Sequence, residues 1–235
     1  MVLLLTTGCS IYHPQAVDIP LLQEPCETRV DLALSLSAIP TLSGPQFNTT
    51  VSYAFGEWMS GQAHANVGGG TYYFHVAPGS YLPIGERFVL EGYAGLGFGG
   101  AFEQSGDATP QEGEAYSYRF SGHFKLPYLQ INAGWRHLWI FEVAAGFKTG
   151  LMLPDFTFLE YGYEDYSQQT DYERYTTPNL LLEPQLQFRI GGKHVMFTTR
   201  LGWAWLSDID GGDSMGSGHM VHEIFTASTG LNFTF

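Results

Sequence analysis

The sequence predicts an all-β chain, folded as an up-and-down antiparallel β-barrel of about ten strands with an apolar outside and a polar inside. Three observations carry this. Apolar and polar residues alternate with a period of two over most of positions 29–235, as in strands that bury one face. The breaks in that pattern are alternately tight and long: tight near residues 56, 84, 136 and 191, long near 40, 104, 165 and 212, with a glycine link near 69 as the short exception. Charged residues make up only 14% of the chain and aromatics 15%, which does not suit a disordered segment. At 235 residues an all-β barrel fits as a single domain, and no apolar run approaches the roughly 18 to 20 residues of a membrane helix.

The opening Leu3-Leu4-Leu5-Thr6-Thr7-Gly8-Cys9-Ser10 resembles the end of a bacterial lipoprotein signal peptide, in which the cysteine receives the lipid. Residues 1–9 are therefore expected to be the remnant of such a signal, with Cys9 as the lipidation site. Residues 10–28, punctuated by Pro14, Pro20 and Pro25, are expected to form an extended periplasmic tether. Cys26 has no comparable context.

The barrel is expected over 29–235. Val30, Leu32, Leu34 and Leu36 share a face against Asp31, Ala33, Ser35 and Ser37; Phe47, Thr49, Val51, Tyr53 and Phe55 form the next strand. Residues 58–67 set small Gly61, Ala63 and Ala65 against Gln62, His64 and Asn66. Residues 71–82 turn at Pro83 to Glu86 and return as 87–98, with Phe88, Leu90 and Leu96 outward and Glu91 and Tyr93 inward. After a polar loop from about 99 to 114, Tyr116, Tyr118, Phe120, Phe124 and Leu126 read as an outward face. Beyond Pro127 the apolar parity switches to Leu129, Ile131 and Ala133, so a bulge is expected there. Trp139, Phe141, Val143, Ala145 and Phe147 then face out, with Glu142 and Lys148 inward, before a long loop from about 154 to 177.

Residues 178–207 read as a hairpin about a two-residue turn at Gly191-Gly192. That turn sets Phe188 against Val195, Leu186 against Phe197, and Glu183 against Arg200. A glycine-rich loop, 208–218, precedes the last strand, and the chain ends on Leu231-Asn232-Phe233-Thr234-Phe235. An even strand count leaves both termini at the end with the short turns.

A sheet greasy outside and polar inside, with short turns at one end and long loops at the other, is the pattern of a transmembrane β-barrel. The segment Leu182-Glu183-Pro184 through Phe188-Arg189, the stretch from Phe88 to Gly97, the terminal Leu231-Asn232-Phe233-Thr234-Phe235 and Gly8-Cys9 resemble the small outer-membrane β-barrel proteins of Gram-negative bacteria, in a lipid-anchored version. The resemblance implies location in the outer membrane with periplasmic termini, contact with outer-membrane lipid, and assembly by the barrel-assembly machinery. It implies no particular chemistry, because such folds serve many functions.

By parity, Glu91, Glu142, Lys148, Glu183, Arg189 and Arg200 point into a narrow lumen, where opposite charges should pair and plug it. Tyr161, Tyr163, Tyr166, Tyr172 and Tyr175 sit in an acidic loop suited to recognising a glycan or a protein. Gly212-Asp213-Ser214-Met215-Gly216, with His219 and His222 near it, matches a nucleophile elbow in letters but joins two strands rather than a strand and a helix. Gly95-x-Gly97-x-x-Gly100 lacks the helix that would hold a pyrophosphate, and Asp208, Asp210 and Asp213 lack the spacing of a calcium loop, so neither cofactor nor metal is expected. A net charge of −13 argues against nucleic acid as a partner. The expected function is a non-enzymatic structural or surface-recognition barrel lipoprotein with a plugged lumen. The alternatives are a rim hydrolase using Ser214 with His219 or His222, and a narrow, porin-like channel for small solutes.

Overall fold

The computed structural model describes residues 9–38, 44–108, 116–137, 140–162, 169–208, 220–222 and 224–235. These residues form strands β1 (Cys9–Tyr12), β2 (Thr28–Ala38), β3 (Gln46–Ala54), β4 (Met59–Gly68), β5 (Thr71–Ile84), β6 (Phe88–Ala108), β7 (Tyr116–His137), β8 (Phe141–Gly162), β9 (Gln169–Tyr175), β10 (Asn179–Gly191), β11 (Val195–Trp203), β12 (Trp205–Asp208), β13 (Met220–His222) and β14 (Phe225–Thr234). Ten of them close an antiparallel barrel: β2 to β8 in sequence, then β10, β11 and β14, which returns to β2. β9 folds back on the upper part of β8, β12 continues along β10, and β1 pairs in parallel with β13.

The seam between last and first barrel strands runs from Phe225↔Ala38 to Thr234↔Arg29, and beyond it the backbones of Thr28 and Phe235 exchange hydrogen bonds of 3.1 and 3.0 Å. Closure leaves no free edge, so no row of unpaired backbone groups faces outward at the seam. Gly230 lies in this seam. A Cβ there would stand 2.1 Å from the carbonyl oxygen of Leu32, which is backbone and has nowhere to move. Gly230→Ala is expected to cost about 1–3 kcal/mol, the usual range for forced overpacking; urea unfolding in detergent checks it, and an unchanged midpoint would contradict the seam geometry.

Outward positions are apolar along every barrel wall. Leu32, Leu34, Leu36, Phe47, Val51, Phe74, Val76, Leu129, Ile131, Leu186, Phe188, Phe197 and Leu231 are all exposed. Among the tryptophans, Trp58 lies exposed at the β3–β4 turn and Trp205 at the opposite end. Inward positions are polar in the half nearer the turns: Ser52, Thr50, Gln62, His64, Gln130, Asn132, Gln185, Gln187, Thr198, Ser228 and Asn232 are buried.

Toward the loop end the polarity changes sides. On β7 and β8 the outward residues become Arg119, His123, Lys125 and Asp155, while Phe120, Phe124, Leu126, Met152, Phe156 and Phe158 fill the interior. The expected outward face Phe120-Phe124-Leu126 is thus an inward one, and no bulge occurs at Pro127. Lys125↔Leu153 and Tyr128↔Gly150 keep one register across it. The parity never switches; the solvent does, because this part of the wall stands beyond the apolar band and packs a water-soluble kind of core inside itself. The register shift in this region falls instead between Ala101 and Gln104 of β6. The loops expected at 99–114 and 154–177 are for the same reason largely strand, since β6 extends into the first and β8 and β9 into the second.

The β10–β11 register also differs from expectation. Gly191 pairs with Met196, and the reversal is closed by a bond from Gly192 N to Val195 O of 2.9 Å, so residues 192–195 make a four-residue connection. Phe188 faces Thr199, Leu186 faces Leu201 and Arg200 faces Gln187, not Glu183. Each arm is displaced by an even number of residues, so every side chain keeps its face even though each neighbour changes.

The lumen as candidate functional site

The greatest departure lies in residues 12–22. Instead of a periplasmic tether, they run through the barrel from the loop end to the turn end, with Tyr12, His13, Ala16, Val17, Asp18, Ile19, Leu21 and Leu22 buried. The first described residues therefore stand at the loop end, where β1 pairs with β13, while Phe235 stands at the turn end. The expectation of both termini at one end fits the barrel strands alone, not the first described residues, 9–12.

An extended segment without a ladder partner must find other partners for its amides and carbonyls. Here the wall side chains supply them. Glu183 accepts from the backbone N–H of Gln15 at 2.6 Å and of Ala16 at 3.4 Å. Gln187 accepts from Ile19 N–H at 3.0 Å and donates to Ile19 O at 2.7 Å, as a strand neighbour would. Glu91 accepts from Leu22 N–H at 2.9 Å; Gln62 donates to Asp18 O at 2.8 Å, Arg200 to Ala16 O at 3.1 Å and Arg136 to Leu21 O at 2.9 Å. Ala16 and Leu21 adopt φ of 40° and 54°, a left-handed backbone unfavourable for residues with a side chain. These two kinks turn successive amides and carbonyls toward different walls.

Charges fill the remaining space in three groups. Nearest the turns, Glu142 is shared by three arginines: Arg29 at 2.9 and 3.0 Å, Arg136 at 3.0 Å and Arg189 at 2.6 Å. Glu27, where the chain leaves the lumen to begin β2, takes Arg29 at 3.0 Å and Arg136 at 3.1 Å. Burial alone would raise the Glu27 carboxyl, but the Arg29 and Arg136 guanidiniums hold it below the usual carboxylate range. Its folded pKa is depressed, so the stability it contributes is present above the ordinary carboxylate pKa and is lost as pH falls through the folded value.

Further up, Asp18 of the threaded segment meets Arg189, and Arg200 meets Asp31. Closer to the loops, Lys148 pairs with Glu183 at 2.7 Å, and Glu183 also accepts from the Tyr12 hydroxyl at 2.6 Å. The Lys148 ammonium lies 5.6 and 5.8 Å from the Tyr73 and Tyr128 ring centres, and Tyr12 packs edge-on to Phe124 at 5.7 Å. Above this the aromatic core closes the bore.

Glu91, Glu142, Lys148, Glu183, Arg189 and Arg200 all lie inside, none more than 4% exposed. Two pairs form within this set, Lys148–Glu183 and Glu142–Arg189; the remaining partners are the threaded segment and residues the parity argument did not single out, namely Asp18, Arg29, Asp31, Asn132 and Arg136. A signal for the missing partner was present in the sequence: Val17, Ile19, Leu21 and Leu22 are too apolar for a solvated tether.

The tyrosines divide. Tyr172 is exposed and Tyr161 half-buried, with Arg119 5.7 Å from its ring centre, whereas Tyr175 turns inward and accepts from Asn179 at 2.6 Å. Tyr163 and Tyr166 lie outside the described residues, as do Ser214, His219, Asp210 and Asp213; His222 and Asp208 are placed by backbone in β13 and β12. Gly95 and Gly97 lie in β6 beneath the tyrosine rings. Added Cβ atoms would come within 2.5 Å of the Tyr128 ring and 2.3 Å of the Tyr73 hydroxyl, so these glycines make room for aromatics that fill the lumen. Among the described residues no cluster of His, Cys, Asp and Glu could hold a metal ion.

No protein-family model and no curated protein matches the sequence. Among solved structures, the outer membrane protease OmpT from Escherichia coli aligns over 94% of this chain and 100% of its own at a TM-score of 0.59 and 10% identity. The translocator domain of the autotransporter NalP from Neisseria meningitidis aligns over 89% of this chain and 87% of its own, at 0.45 and 12%. The likeness to OmpT shows the fold, that of an outer-membrane β-barrel, and leaves the chemistry open.

Proposed function

We propose that this chain is an outer-membrane barrel lipoprotein that acts as a structural or surface-recognition component, with its lumen sealed rather than used as a passage. Its tight turns face the periplasm and its longer connections the outside, and a lipid on Cys9 adds a second anchor. The observation that supports this reading is the occupation of the lumen: Glu91, Glu183, Gln187 and Arg200 are committed to the backbone of the chain's own residues 15–22, which stand in the bore. The recognition surface is the loop end, where Tyr172 and the exposed Arg174–Asp155 pair at 2.8 Å offer contact area for a glycan or a protein.

The purified protein in planar bilayers is expected to show no steady conductance at neutral pH. A stable open pore would replace this reading with the narrow channel. The likeness to a protease fold keeps one other reading in view, a hydrolase at the loop-end rim using Ser214 with His219 or His222. Covalent labelling by a serine-directed phosphonate, lost in Ser214→Ala and retained in Ser207→Ala, would establish the hydrolase; no labelling of the folded protein is expected.

A further inference from the structure

We infer that the barrel carries its own N-terminal arm across the membrane and brings the backbone of residues 9–11 out on the side of the long loops, opposite Phe235. The direction of the thread is fixed at both ends. At the turn end Leu21 O accepts from Arg136 and the chain bends through residues 23–27 into β2, with Cys26 N bonded to Ala54 O at 2.9 Å. At the loop end β1 pairs with β13, which lies between β12 and β14, and it also contacts β5 and β6. Between these points the arm is recognised along its length, by Glu183, Arg200, Gln62, Gln187, Arg189, Glu91 and Arg136 in turn. A chance lodger would leave such buried donors and acceptors unmatched.

The rim shows where the arm leaves. β6, β7 and β8 run to 21 or 22 residues, but β4 and β5 are joined at Gly68–Thr71 by a tight turn, so the wall is lower there than along β6 to β8, beside β1. Outward residues stay apolar up to this lip, with Val67 and Tyr72 exposed on either side of the turn, so the membrane boundary reaches it. Cys9 is three residues from Tyr12, a span of at most about 10 Å. It follows that a lipid on Cys9 would seat in the leaflet on the loop side, not in the periplasmic leaflet. This second part rests on the lipid-anchor reading above; the threading does not.

Two measurements on the full chain in outer membranes test this. In a Cys26→Ser background, Ala16→Cys with Gly202→Cys should form an intrachain disulfide, identifiable as a linked peptide, because a Cβ on Gly202 would stand 3.5 Å from the Ala16 Cβ. Folded protein without that link would overturn the threading. A site for a sequence-specific protease placed between Ser10 and Ile11 should be cut on intact cells, while the same site in the Gly85-Glu86 turn is cut only after the outer membrane is opened. The reverse pattern would overturn the stated side. Mass spectrometry of the released N-terminal peptide separates the two claims: a lipid-free Cys9 would end the anchor reading and leave the disulfide result standing.

Discussion

Replacing Glu142 by glutamine is expected to destabilise the barrel more than any other single charge removal in the lumen, by on the order of 3 to 5 kcal/mol or beyond. Arg29, Arg136 and Arg189 converge on this one carboxylate, all nearly inaccessible to solvent. Removing it leaves three guanidiniums facing one another, with Glu27 able to serve Arg29 and Arg136 but not Arg189. Urea unfolding in detergent, followed by tryptophan emission and by the mobility difference between folded and heated protein, reports the loss. Adding Arg189→Met should recover part of it by removing the guanidinium that Glu27 does not serve, and only part, because it also takes the Arg189 partner away from Asp18. A Glu142→Gln barrel within about 0.5 kcal/mol of the parent would mean that the cluster is not formed as described.

The next largest effect is expected at Glu183 and Lys148. Glu183 holds the lysine, the Tyr12 hydroxyl and the Gln15 amide together, so Glu183→Gln both strands a buried cation and loosens the upper end of the thread. Each of Glu183→Gln and Lys148→Met should cost on the order of 3 to 5 kcal/mol, and the double variant should recover much of the sum. The same cycle run on Glu183 and Arg200 should show much weaker coupling, since Arg200 binds Asp31 and meets Glu183 only through the backbone of Ala16. Strong coupling between Glu183 and Arg200, with none between Glu183 and Lys148, would restore the two-residue turn at Gly191-Gly192 and reject the observed register.

These two cycles also mark what could be read from the sequence. Alternation with a period of two tells which face each residue takes, and it placed Glu142, Lys148, Glu183, Arg189 and Arg200 inside without any knowledge of neighbours. Partners depend on register, and register depends on the length of a reversal that Gly191, Gly192 and Lys193 allow in more than one form. Phe120, Phe124 and Leu126 lie inside although their pattern predicts the outside, because an apolar face says only that water is absent, and water is absent inside the upper wall as well as along the apolar band. The threaded segment was the hardest to see. Three prolines in 19 residues read as an open linker, and nothing periodic reports that a strand-like stretch is to be satisfied by glutamine and arginine side chains rather than by another backbone.

The threaded lumen also bears on the order in which the molecule is made. A bore already filled by Arg189, Arg200, Glu142 and the aromatics above them offers no opening through which residues 12–22 could later be drawn. The arm has to be in place before β14 meets β2, and β10 and β11, which hold it through Glu183, Gln187 and Arg200, are among the last barrel strands in the chain. Residues 12–22 thus serve as a former around which the final strands are laid, so that sealing the seam and trapping the arm are one event. A chain whose arm is missed at that moment would close around Glu91, Glu183, Gln187 and Arg200 without the backbone groups they bind and around Arg189 without Asp18, and the barrel would be weakened at its last step rather than at its first.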